Sequence, residues 1–352
     1  MHITHLTLKH FRCFEHLELD FEHPTVVLEG LNGAGKTSLL ESLHYLCYLR
    51  SFRTYSPSEL IKQGAESFFI KASFTTDEQS HEVQVGFTDK KRVVKIDGTP
   101  ITSYKQLVDH YRVVTITEDD LELIKGSPQE RRQFIDQLLM LLDPAYALLL
   151  KKAKQVLEQR NALLRHIRVA DDQYQLWTDQ LFTISAHLAQ AREQAIAQLV
   201  AHVAQLVSDY ADNAYRIELS YQPKFSYEQP ERCHQLFNQE RRFGRSLFGF
   251  HLDDVTIDFQ DRKSKLFASR GQQKLIILLL KMAQLQLVAQ AKGPSALLLD
   301  DFMTDFDAPR AALIMQALGQ VADQLILTSP VKSSALSQAL VGRQVHTLSL
   351  TY

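Results

Sequence analysis

Gly30-Leu31-Asn32-Gly33-Ala34-Gly35-Lys36-Thr37 spells G-x-x-x-x-G-K-[ST]. Glycines at these spacings let successive backbone N–H groups turn inward around phosphate oxygens, in conformations that a side chain hinders. A helix starting at the end of such a loop adds free donors and a partial positive charge. Lys36 can then reach the β- and γ-phosphates, and the Thr37 hydroxyl can ligate Mg²⁺. The expected nucleotide contacts are Gly30, Leu31, Asn32, Gly33, Ala34, Gly35, Lys36, Thr37 and Ser38, with Lys36 also catalytic. The chemistry implied is binding of a nucleoside triphosphate with Mg²⁺. The loop alone does not say what the triphosphate drives.

Two further clusters fit the same chemistry. Ser295-Ala296-Leu297-Leu298-Leu299-Asp300-Asp301 is an apolar run ending in two acids. At the C-terminal end of a parallel strand beside a phosphate loop, one carboxylate belongs to the Mg²⁺ shell. The next acid is placed to orient or deprotonate an attacking water. This assigns Asp300, with Thr37, to the metal and Asp301 to the water. Ser269-Arg270-Gly271-Gln272-Gln273 opens a long apolar helix beginning Lys274-Leu275-Ile276-Ile277. On its own it is a helix N-cap. Some 30 residues before an acidic strand, it resembles the signature motif of the ABC ATPases. That resemblance implies that Ser269 and the helix N-terminus at Gly271 and Gln272 contact a γ-phosphate bound by a second subunit.

The elements that must position these groups are legible from periodicity. Thr25-Val26-Val27-Leu28 reads as a short strand before the loop, and Ser38 to Leu43 as a helix after it. Ile3–Leu8, Phe68–Phe74 and His81–Phe87 alternate as half-buried strands. Lys91–Ile96 follows, with a turn at Asp97-Gly98, and then Arg112–Ile116. Glu130–Leu142 reads as helix. Pro144 to about Arg168 and Tyr174 to Tyr215 read as two long helices. Their stripes are Leu148, Leu149, Ala153, Val156, Leu157, Leu163 and Leu164 on the first, and Leu181, Ile184, Leu188 and Ala191 on the second. Two long helices in succession predict an antiparallel hairpin arm. Strands return at Arg216–Ser220, Val255–Phe259, Gln324–Ser329 and Val345–Leu350. Some 260 residues separate Lys36 from Asp300, so a strand-rich segment and a helical arm stand between the two phosphate-handling elements. The expected fold class is α/β: an ABC-type phosphate-loop ATPase head with a mixed sheet and helices, plus a helical-hairpin arm lobe. The expected division is 1–127 and 240–352 for the head, and 128–239 for the arm.

Bulk properties exclude several classes. The 352 residues are 45% hydrophobic and 23% charged, which suits a globular chain. The formal net charge of -2 predicts that any nucleic-acid contact is a local basic patch. Cys13, Cys47 and Cys233 have no metal-ligand spacing and fit reduced thiols of the cytoplasm. The N-terminus lacks the apolar segment of a secretory signal, and no uninterrupted apolar run reaches about 18 residues, so no membrane role is expected.

The full set of motifs resembles the RecF family of bacterial recombination-repair ATPases. The resemblance rests on Leu6-Thr7-Leu8-Lys9-His10-Phe11-Arg12, the phosphate loop, Arg50-Ser51-Phe52-Arg53-Thr54 and Glu118 to Pro128. Arg131-Arg132-Gln133-Phe134-Ile135-Asp136, Gln159 to Leu164, Gly244-Arg245-Ser246 and His251-Leu252-Asp253-Asp254 extend it over essentially the whole chain. The family usually has glutamine at positions 34 and 270, where this chain has Ala34 and Arg270, and proline and arginine where it has Phe250 and Leu252. Its Ser-Glu-Leu-Asp dimer-contact loop is here Thr304-Asp305-Phe306-Asp307, and its frequent switch histidine is replaced by Thr328-Ser329. The resemblance implies ATP and Mg²⁺ as cofactors and a head-to-tail, ATP-dependent homodimer. It also implies sequence-nonspecific binding of double-stranded DNA at junctions with single strands, and work with RecR, RecO and RecA. Slow hydrolysis fits Asp301, one methylene shorter than the glutamate many ABC proteins carry there. Candidate phosphate-backbone contacts are Lys263, Lys265, Arg131, Arg132, Lys151 and Lys152. Arg12 and the Arg50 loop are candidates for holding the adenine. The alternatives are an ABC transporter subunit, which the long arm and the Arg50–Thr54 motif oppose, and a RecF-like defence ATPase. An SMC-type rod is opposed by the short arm, and an OLD-like nuclease by the few residues expected after Pro330.

Overall fold

The computed structural model describes all residues except 77–78, 89, 103, 166–170, 211–214, 331–333, 341–343 and 351–352. The chain forms two compact units, Met1–Asp120 with Leu278–Tyr352, and Leu121–Ile277. In chain order the first unit begins with β1 (His2–Phe11), β2 (Phe14–Asp20), β3 (Thr25–Gly30), α1 (Lys36–Tyr48), β4 (Ser67–Thr76), β5 (Gln79–Thr88), β6 (Lys91–Ile96), β7 (Thr99–Pro100), α2 (Tyr104–His110) and β8 (Val113–Ile116). The second holds α3 (Glu122–Lys125), α4 (Pro128–Leu142), α5 (Pro144–Leu164), α6 (Asp171–Tyr210), β9 (Ile217–Gln222), α7 (Glu231–His234), α8 (Phe237–Phe243), β10 (Asp254–Phe259), β11 (Arg262–Lys263) and α9 (Ser264–Phe267). Helix α10 (Arg270–Lys292) carries the chain back. It is followed by β12 (Ala296–Leu299), α11 (Ala308–Val321), β13 (Gln324–Pro330), α12 (Ser334–Ala339) and β14 (Val345–Ser349).

The first unit contains two sheets. One is antiparallel, in the order β2-β1-β4-β5-β6-β7; the other is β14-β3-β13-β12-β8, with every pair parallel. β12 reads as a continuous apolar run because both its faces are covered: Ala296–Leu299 are all buried. Helix α1 is apolar on most sides, and nine of its 13 residues are buried. Its Leu39, Leu40, Leu43 and Leu46 share one core with Leu6 and Leu8 of β1, Ile70 and Phe74 of β4, and Val26, Leu298 and Ile326 of the parallel sheet. The phosphate-loop helix is thereby fixed to both sheets at once. Helix α10 is long and apolar enough to cross a membrane, but 72% of its apolar window is buried inside the protein, so core packing accounts for its composition.

The second unit is wider than the arm read from the sequence, for it also takes in 121–127 and 240–277. Strand β10 pairs with β9 from Asp254↔Gln222 to Phe259↔Ile217, and so binds the returning chain to the segment after α6. The ends expected near Arg168 and Tyr215 fall at or beyond stretches outside the described residues. The stripe expected on α5 is met at Ala153, Val156 and Leu164, which are buried, and at Leu149 and Leu157, which pack half-buried against the same core, but not at Leu148. Leu148 is exposed, and the buried face is Tyr146, Leu150, Ala153, Val156, Arg160 and Leu164.

An arginine sits on that face because a buried acid meets it. Arg160 and Glu240 are both 0% exposed, and the guanidinium donates to both carboxylate oxygens, one at 3.0 Å. Ser246 Oγ, Thr178 Oγ1 and Tyr174 Oη take its remaining donors. A second buried pair joins Arg192 of α6 to Asp136 of α4 at 2.9 and 3.0 Å. Removing one partner of such a pair leaves an uncompensated buried charge. Arg160→Ala is therefore expected to lower stability by about 3–5 kcal/mol in urea unfolding. The double change Arg160→Met with Glu240→Leu should recover most of it; a loss below about 1 kcal/mol in the single variant would contradict the assignment.

Candidate active site

The phosphate loop leaves the carboxyl end of β3 and enters α1. Gly33 (φ 90°) and Gly35 (φ 89°) are left-handed, the conformation that bends the backbone amides around an anion. At Gly35 a side chain is also excluded by space, since a Cβ would stand 2.5 Å from Phe14 Cζ and 2.7 Å from Cys13 Sγ. Gly35 is the N-cap of α1, and no side chain caps that end, so the first amides of the helix face the loop without a competing acceptor from a cap. Lys36 Nζ donates to the carbonyls of Gly30 (2.6 Å) and Leu31 (3.0 Å), which anchor the ammonium over the loop. Leu31 is 76% exposed at its tip.

The parallel sheet brings the other groups to this loop. β13 lies between β3 and β12, and the three strands end on the same side. Asp300 Oδ1 accepts the hydroxyls of Thr37 and Thr328, each at 3.0 Å. Burial raises the Asp300 carboxyl above the usual carboxylate range, against the pull of these two hydrogen bonds and of the Arg53 and Lys36 charges. Two hard oxygen ligands, a hydroxyl and a carboxylate, suit Mg²⁺ sharing the rest of its shell with phosphates and water. Among the described residues no group of three or more His, Cys, Asp or Glu is placed to hold a metal ion.

Asp301 follows in the left-handed region, with φ 45°. That conformation costs a non-glycine residue about 1–3 kcal/mol and persists only where its surroundings hold it. Here its N–H donates to Thr328 Oγ1 at 2.7 Å. The same hydroxyl therefore accepts from Asp301 and donates to Asp300. The side chain of Asp301 is exposed. Thr328 belongs to the Thr328-Ser329 pair that stands in place of the family's frequent histidine, and the sequence alone assigned it no part. The available signal was a hydroxyl at the end of the neighbouring strand.

Ser269, Gly271 and Gln272 lie in the second unit, and the phosphate loop with Asp300 and Asp301 in the first. Ser269 does cap α10. Its Oγ accepts from Gln272 N–H at 3.3 Å, and Gln272 Oε1 accepts from Ser269 N–H at 2.8 Å, a reciprocal capping box. The serine hydroxyl proton remains available as a donor. A Cβ on Gly271 would meet nothing within 4 Å.

Several basic side chains have structural employment. Arg12 forms a bidentate pair with the buried Glu41 of α1 at 2.7 and 2.8 Å, and so ties the loop after β1 to the phosphate-loop helix. Glu41 also gathers Arg53 (3.5 Å) and Ser51, which explains the Arg50–Thr54 motif as a loop clamped beside α1. Arg131 is paired with Asp254 at 2.8 and 3.0 Å, and Arg132 donates to the Asp253 carbonyl at 2.5 Å. Both hold α4 to β10 and its approach instead of standing free for a backbone phosphate. Lys151, Lys152, Lys263 and Lys265 are exposed.

Residues 5–222 match the AAA domain family. The chain is 30% identical to the DNA replication and repair protein RecF of Synechococcus sp. (strain JA-3-3Ab), over 98% of this chain and 96% of the relative. It is 31% identical to that of Acaryochloris marina (strain MBIC 11017), over 94% and 93%. Its fold is similar to a solved structure of the recombination mediator protein RecF described as RecF-ATPrS in the RecFOR pathway, with a TM-score of 0.85, 23% identity, and 99% and 96% of the two chains covered. A Smc head domain derived from Pyrococcus furiosus aligns at a TM-score of 0.57 and 15% identity, over 99% and 94%. With near-complete coverage at this identity, the chain belongs to the RecF family of DNA replication and repair proteins.

Proposed function

We propose that the chain is an ATP-dependent DNA-binding protein of recombinational repair, acting in the bacterial cytoplasm at the nucleoid. It binds ATP with Mg²⁺, closes head to tail with a second copy on duplex DNA beside single-strand gaps, and hydrolyses ATP slowly. RecR and RecO are its partners in loading RecA. The observation that carries the ATP chemistry is the convergence of Thr37, Asp300 and Thr328 beside the phosphate loop. Family membership supports the repair role.

In this reading the loop amides and Lys36 bind the phosphates, and Thr37 and Asp300 hold Mg²⁺, which would neutralise charge developing on the phosphates. Asp301 orients the attacking water, and its backbone is fixed by Thr328. Ser269 and the α10 N-terminus complete the site of the other copy. Gly271 supports this. Gly271 lies in the first turn of α10, and a Cβ there would meet nothing within 4 Å, so nothing described in this chain requires the missing side chain. Close approach of a second molecule supplies a reason.

Lys36→Ala should abolish ATP binding and ATP-driven dimerisation in sedimentation, whereas Asp301→Asn should bind ATP and accumulate as the closed dimer; faster turnover in the latter would refute the role of Asp301. Gly271→Ala should leave the melting temperature unchanged or slightly raised but weaken the ATP-dependent dimer several-fold. An unaffected dimer would remove the argument from the glycine. Because Asp300 must be ionised to take Mg²⁺ and burial raises its pKa, Mg²⁺–ATP affinity should rise with pH through that raised range and then level off. Thr328→Val, which deletes a donor to the carboxylate, should move the rise to higher pH; titration calorimetry at several pH values reads both, and a shift to lower pH would contradict the geometry.

A further inference from the structure

The second unit carries charges that the ATP chemistry does not use. α8 ends in Glu240-Arg241-Arg242-Phe243, followed by Gly244-Arg245. The acid of this segment points inward. Glu240 is buried, is met by Arg160 and Tyr174, and accepts the Leu247 N–H at 2.8 Å. Arg241, Arg242, Phe243 and Arg245 are exposed. Arg165, which caps the end of α5, is exposed beside them: a Cβ on Gly244 would stand 3.6 Å from Arg165 Cγ. Arg165, Arg242 and Arg245 form no ion pair with an acid among the described residues. Arg241 lies over the ring of Phe237 at 5.5 Å, and that ring packs on Tyr174 of the buried cluster at 4.2 Å. The ion pair beneath therefore braces a knuckle whose outer face is positive.

A helix C-terminus favours cations, which accounts for an arginine or two. It does not account for Phe243, which is 60% exposed between them. An arginine fork matches a phosphate, and an exposed aromatic face stacks on any base. An acidic peptide needs the cations and has no use for the ring. We propose that this knuckle is a nucleic-acid contact, in which Arg165, Arg241, Arg242 and Arg245 bind backbone phosphates and Phe243 stacks on an unpaired base of the kind a single-strand gap exposes. The inference rests on the DNA-binding reading above and assigns a surface to it.

The test is fluorescence anisotropy with the full chain and ATP, on a gapped duplex and on a blunt duplex of equal length. Phe243→Ala should weaken binding to gapped DNA about 5- to 100-fold and leave the blunt duplex within about twofold, while Phe243→Trp retains gap binding. Arg241→Ala with Arg242→Ala should weaken both and reduce the slope of log affinity against log salt by nearly 2. Phe243 is at the surface, so its melting temperature should not move. Wild-type binding to gapped DNA that neither variant alters overturns this inference and leaves the ATP-dependent clamp standing. Wild type that binds no DNA overturns both. Polyglutamate that displaces gapped DNA from wild type but not from the double arginine variant overturns the nucleic-acid assignment in favour of an acidic partner.

Discussion

One threonine hydroxyl sets the geometry of two neighbouring carboxylates. Thr328 Oγ1 accepts the Asp301 amide and donates to Asp300, so the first acid is turned toward Thr37 while the second is held in a left-handed conformation. Both bonds require β13 to lie between β3 and β12 in parallel register, with Leu327 opposite Leu299 and Thr328 opposite Leu28. A slip of one residue would turn the hydroxyl to the other face of the sheet. The core shared by α1 and both sheets therefore has a chemical consequence: it fixes the register that brings the loop, Asp300 and Asp301 together.

Much of this was legible in the sequence because it is written in local patterns. The phosphate loop is contiguous, Gly33 and Gly35 are required by φ, and the apolar run before Asp300 matches a strand buried on both faces. What was illegible depends on partners far away in sequence. Thr328 gains meaning only beside Asp300 and Asp301. Arg12, Arg131 and Arg132 look like free cations until Glu41, Asp254 and Asp253 are brought to them. On α5 periodicity alone selected Leu148 and left out Arg160, because no local rule says that an arginine is buried when its acid lies 80 residues later.

The two units solve different problems. The first brings the glycine-rich loop beside the paired acids Asp300 and Asp301. The second is cross-braced by buried ion pairs, Arg160 with Glu240 and Arg192 with Asp136, which are weak sources of net stability but strict about geometry. Ser269 stands at the start of α10, the helix through which the chain passes from the second unit to the first. Its capping box with Gln272 gives it a role within the subunit that does not consume its hydroxyl proton.

The central claim is that each ATP is held by groups from two copies of the chain, and mixing two inactive variants tests it most directly. Lys36→Ala lacks a working phosphate loop, and Ser269→Arg lacks a working signature. A mixed head-to-tail dimer contains one site built from the intact loop of the second and the intact signature of the first. ATP hydrolysis should be near zero for either variant alone and recover on mixing toward the fraction of mixed dimers that carry one good site. Mixtures no more active than the separate variants, while Ser269→Arg alone hydrolyses ATP as well as wild type, would contradict the account.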